Sequence, residues 1–155
     1  MIQKQIALSL GGNIGNVEDN FRNVVSKFRD FGFLNLQISP LFQTVAVDCP
    51  EGTPDFQNAA LTATCTLEPL ELLDLCKKFE RAAGRPTSHE RNSSRPLDLD
   101  IILYDDLIFQ HERIQIPHPR ATERRFVLEP LAIIAPNWIF PNTGLTVKQH
   151  LAQLL

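Results

Sequence analysis

The sequence predicts an α+β fold, an antiparallel sheet with helices packed on it, from two observations. Strand-like and helix-like segments follow one another in the order β-α-β-β-α-β. The first helical segment carries Phe21, Val24, Val25 and Phe28 on one stripe at helical spacing, and the second carries Leu72, Leu73, Cys76 and Phe79.

Each element has a local reason. Gln5 to Leu10 is a short apolar run ended by Gly11-Gly12-Asn13-Ile14-Gly15, and it reads as the first strand. Asn16 can cap the helix that follows, whose stripe is Phe21, Val24, Val25 and Phe28; Gly32 suits its C-terminal turn. Leu36 to Val47 alternates well enough for a second strand. The loop from Asp48 to Pro54 is marked by Pro50, Gly52 and Pro54, and Phe56 to Cys65 is a third strand antiparallel to the second. Thr66 is a candidate N-cap, with Pro69 in the first turn of a helix bearing Leu72, Leu73, Cys76 and Phe79 up to about Ala83. Pro86 to Pro96 is a long polar loop, Leu97 to Tyr104 a strand, Asp105-Asp106 a turn, and Leu107 to Phe109 a return. A short helix opening at Pro119, a helix over 126–134 and a last one over 147–154 capped by Thr146 complete the chain. The leading order is the split βαβ arrangement of ferredoxin-like folds, with helices on one face and a C-terminal hairpin and helices added.

Composition narrows the class. The 155 residues suit one domain spanning 1–155, and 43% apolar content is ordinary for a globular chain. Three cysteines, Cys49, Cys65 and Cys76, without a Cys-x-x-Cys spacing, argue for reduced thiols rather than disulfides or a thiolate zinc site. The start of the chain lacks a secretion signal, and no run approaches membrane-helix length. The expectation is a cytoplasmic protein, bound to neither membrane nor nucleic acid at a net charge of −3. Yet eight of the ten arginines fall between Arg81 and Arg125, which suggests a local anion site; interleaved acids allow a solvated surface instead.

The chemistry concentrates in Leu97-Asp98-Leu99-Asp100-Ile101. In a strand the apolar residues face a core while Asp98 and Asp100 share the other face, with Cα atoms roughly 6–7 Å apart from a rise of about 3.3 Å per residue. Such a pair suits a hard cation bridging phosphates, and without one like charges raise a pKa; the alternative is a half-exposed strand with two solvated aspartates. Arg85, Arg91, Arg95, Arg113 and Arg124 lie around it in sequence, the equipment of phosphoryl-type transfer. His118, held between Pro117 and Pro119, could hydrogen-bond a phosphate, or be a structural or surface histidine. The glycine-rich segment lacks the lysine of a P-loop, so it reads as a tight turn whose backbone passes close to a ligand. Phe56 beside Asn58 could stack on and read a planar heterocycle.

Taken in order, these segments resemble the 6-hydroxymethyl-7,8-dihydropterin pyrophosphokinase family of folate biosynthesis. The likeness rests on Ser9-Leu10-Gly11-Gly12-Asn13, Thr44, Asp55-Phe56-Gln57-Asn58-Ala59, Glu80-Arg81-Ala82-Ala83-Gly84-Arg85, Arg95-Pro96-Leu97-Asp98-Leu99-Asp100-Ile101, Ile116-Pro117-His118-Pro119 and Arg124-Arg125-Phe126-Val127-Leu128-Glu129-Pro130-Leu131. The resemblance implies a monomer that moves pyrophosphate from ATP to a pterin hydroxymethyl group. It implies two Mg2+ ions on Asp98 and Asp100, and catalytic arginines at Arg85 and Arg95. The ATP side would comprise Lys77, Glu80, Arg85, Arg91, the backbone of Ile101, Arg113, His118, Pro119 and Arg124. The pterin side would comprise Thr44, Ala46, Val47, Phe56, Asn58, Arg95 and Phe126.

Some positions depart from the family pattern. Arg91-Asn92-Ser93-Ser94-Arg95 stands where Arg-Trp-Gly-Pro-Arg is usual, Gly12 where Ser is usual, and Val45-Ala46 for Pro-Pro. Thr87, Ser88 and His89 make the loop less basic. These changes imply a slower or less tightly closed enzyme. A non-catalytic nucleotide- or pterin-binding paralogue and a single-stranded RNA binder are the competing readings. Retention of both aspartates argues against the first. Absence of the aromatic strand motif argues against the second.

Overall fold

The computed structural model describes residues 2–45, 51–84 and 96–155. Its elements are β1 (Lys4–Gly12), α1 (Val17–Asp30), β2 (Leu34–Ile38), β3 (Phe42–Thr44), β4 (Phe56–Cys65), α2 (Pro69–Ala82), β5 (Asp98–Tyr104), β6 (Phe109–Gln110), β7 (Gln115–Ile116), α3 (Arg125–Ile134) and α4 (Val147–Gln153), with a 3-10 turn over Ala121–Glu123. The main sheet runs β2-β4-β1-β5, β3 extends the β2 side of β4, and every pairing is antiparallel. This is the α+β, ferredoxin-like order expected, with β1 central and β5 at an edge.

α1 starts where its cap predicts: the Asp19 amide donates to Asn16 Oδ1 at 3.1 Å. Val17, Phe21, Val24 and Phe28 are all buried. At about 1.5–3 kcal/mol per buried large apolar side chain, that stripe contributes roughly 6–12 kcal/mol before entropy is subtracted. α2 begins after Glu68 rather than Thr66, because the Glu68 amide finds Glu71 Oε1 at 2.9 Å, a reciprocal bond Thr66 is too far back to make.

Three further expectations change. The strand over 36–47 is two short strands, because Pro40 has no N–H to give the ladder and Ser39 instead turns its Oγ to accept from the Ala60 amide at 2.9 Å. The return after Asp105-Asp106 does not pair with β5; β6 pairs with β7 in a separate hairpin. And helices cover both faces of the sheet. α1 and α2 pack on the face that carries Ile6, Leu8, Leu10, Leu61, Leu99 and Ile101. α3 and α4 pack on the other, against Ala7, Ala60, Ile102 and Leu103. The apolar run after Asp100 made this possible. β1 and β5 skip a residue between the pairs Ala7–Leu103 and Leu8–Ile101, so Ile102 is a bulge. Leu103 therefore follows Ile102 on the α3 face, and Tyr104 returns to the α2 side, where its hydroxyl donates to the Leu67 carbonyl at 2.6 Å.

α3 packs around Ala7, Ala60 and Ile102. By strand alternation Ser9, Gly11, Asn58, Asp98 and Asp100 lie on that same face of the sheet. Cys65 and Cys76 are buried free thiols, and burial pushes both pKa values up, which keeps them protonated and inert.

Candidate active site

Antiparallel register assembles the site. Gly11 of β1 lies opposite Asn58 of β4 on one side and Asp98 of β5 on the other; Ser9 lies opposite Ala60 and Asp100. Side chains two apart share a face, so Asn58, Asp98 and Asp100 stand on one surface with β1 between them. Leu97, Leu99 and Ile101 point into the opposite core, each under 5% exposed.

The carboxylate pair is charged against its surroundings. Burial first, then the charges of Asp98 and Glu80, hold Asp100 well above the usual carboxylate range, and Arg124 and Lys77 only partly offset them. Glu80, on α2, is 2% exposed and reaches under the edge of β5. Its Oε2 accepts the Leu99 amide at 2.7 Å, between the two aspartates, and Lys77 Nζ lies 3.6 Å from its Oε1. Hard oxygen donors whose mutual repulsion a dication would offset are a chemical fit for Mg2+. Among the described residues no group of three His, Cys, Asp or Glu forms a closed cage. That suits an ion held by one or two carboxylates and completed by phosphate.

His118 belongs to this rim. Its amide donates to the Ile102 carbonyl at 3.1 Å along the outer edge of β5, and the preceding Ile116–Pro117 bond is cis. Burial, with Arg124 and Arg120 nearby, lowers its pKa, and Asp98 opposes the shift. The ring is therefore neutral at pH 7. The Arg120 amide donates to Nδ1 at 3.2 Å, which leaves the proton on Nε2 as a donor. Arg124 lies 5.6 Å from the Phe126 ring centroid, so the start of α3 presents a cation against an aromatic ring that is 38% exposed.

On the other side of β1, Asn58 is 4% exposed and its Nδ2 donates to Thr44 Oγ1 at 2.9 Å. Phe56 shares that face, two residues before Asn58. Arg113 is tied to Asp74 of α2 in an exposed ion pair. Pro119 is exposed, and Ile101 turns its side chain into the core on a strand at the sheet edge. Arg85, Arg91, Arg95, Ala46 and Val47 lie outside the described residues. So do Thr87, Ser88, His89, Cys49 and the segment Asn92-Ser93-Ser94.

Three contacts escaped the sequence reading. Asn20 Nδ2 donates to the Pro96 carbonyl at 3.1 Å, tying α1 to the segment before β5, and Asn13 Nδ2 to the Pro54 carbonyl at 3.0 Å, tying the end of β1 to the segment before β4. Gly12 belongs to β1 rather than to a turn, and a Cβ there would sit 2.7 Å from the Pro96 carbonyl oxygen. Local sequence carries no mark of these long-range partners.

Residues 7–136 match the model of the 7,8-dihydro-6-hydroxymethylpterin-pyrophosphokinase family. The chain belongs to this family. A 2-amino-4-hydroxy-6-hydroxymethyldihydropteridine pyrophosphokinase of Synechocystis is 36% identical over 148 residues, 95% of this chain and 74% of the relative. One of Haemophilus influenzae is 32% identical, over 91% of this chain and 88% of its own. A folate synthesis bifunctional protein of Arabidopsis thaliana is 38% identical, but the chain spans only 30% of it. Among solved structures, the HPPK-DHPS protein of Plasmodium falciparum aligns over 98% of this chain and 42% of its own, with a TM-score of 0.72 and 12% identity, a likeness of fold. The family assignment accords with the resemblance read from the motifs.

Proposed function

We infer that this chain transfers the pyrophosphoryl group of ATP to the hydroxymethyl group of 6-hydroxymethyl-7,8-dihydropterin, in folate biosynthesis. The alcohol oxygen forms a bond to the β-phosphorus as the bond from that phosphorus to the α,β-bridging oxygen breaks. The alcohol loses its proton, and AMP leaves. The observation that carries the reading is the Asn58–Gly11–Asp98 row, which sets an amide suited to reading a heterocycle and a carboxylate pair on one face of the sheet.

We assign Asp98 and Asp100 to hold two Mg2+ ions, which would neutralise triphosphate charge. His118 donates Nε2–H to a phosphate oxygen, and Arg124 adds a cation on the same rim. Asn58, held by Thr44, reads the pterin edge while Phe56 and Phe126 offer ring faces. Glu80 and Lys77 support β5 from below. By family resemblance Arg85, Arg91, Arg95, Arg113, Pro119 and the Ile101 backbone complete the ATP side, and Ala46 and Val47 the pterin side. The reading extends to a cytoplasmic monomer built as one domain; no helix among the described residues is long and apolar enough to cross a membrane.

Asp98→Ala and Asp100→Ala test the assignment. Each should abolish turnover and weaken Mg2+-dependent ATP binding while leaving the circular dichroism spectrum unchanged. Full activity in either variant would refute it.

A further inference from the structure

The heterocycle is read from β4 and the phosphates are held from β5, yet β1 runs between those strands. Two strand spacings of about 4.8 Å separate Asn58 from Asp98, roughly 10 Å between backbones. The reacting alcohol must therefore lie over β1, and the β1 residue in that row is Gly11.

The missing side chain has a definite place. A Cβ built on Gly11 would lie 3.5 Å from Asn58 Oδ1, 4.0 Å from Asp98 Cβ and 4.0 Å from the Gln57 carbonyl oxygen. It would point onto the site face, directly between the two groups. None of these contacts is a clash, and Gly11 is not among the glycines with positive φ. Neither backbone strain nor core packing requires glycine here. Gly12 is the contrast: its Cβ would meet Pro96, so packing alone explains that glycine.

We propose that Gly11 is a specificity-determining residue: its bare Cα forms a slot between Asn58 and Asp98 that admits the hydroxymethyl arm of the pterin and sets its depth against the carboxylate pair. The inference rests on the functional reading above. A methyl group at this position fits the protein but occupies the space of the arm. Ring binding and triphosphate binding each keep their own residues, so the loss falls on the arm alone.

The test compares wild type with Gly11→Ala, using 6-hydroxymethyl-7,8-dihydropterin and the arm-less 7,8-dihydropterin as probes. Calorimetry is run with Mg2+ and a non-hydrolysable ATP analogue present. The variant should melt within about 2 °C of wild type and bind the nucleotide analogue within twofold. It should bind the arm-bearing pterin at least tenfold more weakly and the arm-less pterin within twofold. Equal affinities of both proteins for the arm-bearing pterin would overturn the proposal, as would an equal loss for both pterins. Should Gly11→Ala fail to fold, the wild-type complex decides: an NOE from the Gly11 Hα protons to the arm methylene supports the slot, and its absence with the pterin bound refutes it. If wild type binds neither pterin, it is the functional reading that fails.

Discussion

Replacing Glu80 should separate the support of the site from its chemistry. The carboxylate is 2% exposed, accepts the Leu99 amide at 2.7 Å and has Lys77 at 3.6 Å. Glu80→Ala strands a buried amide on β5, which costs about 1–3 kcal/mol, and removes a charge-assisted hydrogen bond of similar size. These two figures overlap, since both count the same bond, so the expected loss is about 1–3 kcal/mol. Glu80→Gln keeps an oxygen acceptor for Leu99 and should lose only about 1 kcal/mol. Urea unfolding at pH 7.5 measures both differences through the midpoint at constant slope. Because Leu99 lies between Asp98 and Asp100, Glu80→Ala should also weaken Mg2+-dependent ATP binding, and Glu80→Gln should restore most of it. A loss below about 1 kcal/mol for Glu80→Ala, or equal losses for the two variants, would refute the argument that this bond holds the edge of β5.

Other outcomes follow from the same contacts. Gly12→Ser, which introduces the residue usual in the family, should destabilise by about 1–3 kcal/mol in thermal melts, because its Cβ meets the Pro96 carbonyl oxygen at 2.7 Å. Phe28→Ala should cost about 3–5 kcal/mol by urea unfolding, since the ring is fully buried against Phe33 and Phe79. His150 is buried beside Phe140 with Thr143 Oγ1 at 2.7 Å, and burial lowers its folded-state pKa below 6.5. Its stabilising contribution is therefore fully present above about pH 6.5, the unfolded value. It is lost as pH falls from there through the folded value, and His150→Gln should flatten that part of the stability profile. Asn92→Trp, restoring the family aromatic, should speed turnover or tighten pterin binding in steady-state assays; no change in either would sink that idea.

Much of this was legible because it is local. Asp98-Leu99-Asp100 declares its two faces by alternation alone, and Asn16 and Thr146 announce helix starts through their own side chains. The bounds of β4 matched the Phe56 to Cys65 segment, which Gly52 and Pro54 mark off on its N-terminal side. What was hidden depends on partners distant in sequence. The Ile102 bulge is a property of β1–β5 pairing, and nothing in the local string foretells it. The two-sided packing of helices was missed because α3 finds its core only after Ala7, Ala60 and Ile102 converge from three strands. The glycine pair read as a turn close to a ligand. Register reveals the strand instead, and shows that its two glycines answer different demands, one from packing and one from an open row. For the site, the residue types on β3–β5 were readable, while their placement on one face across a bare Gly11 was not.

The central claim is tested most directly by the fate of the nucleotide. The chain is incubated with Mg2+, ATP labelled at the β-phosphorus, and 6-hydroxymethyl-7,8-dihydropterin. The account predicts AMP and labelled pterin diphosphate in equal amounts, with neither formed by Asp98→Ala. Release of ADP, or no turnover by the wild-type chain, would contradict it.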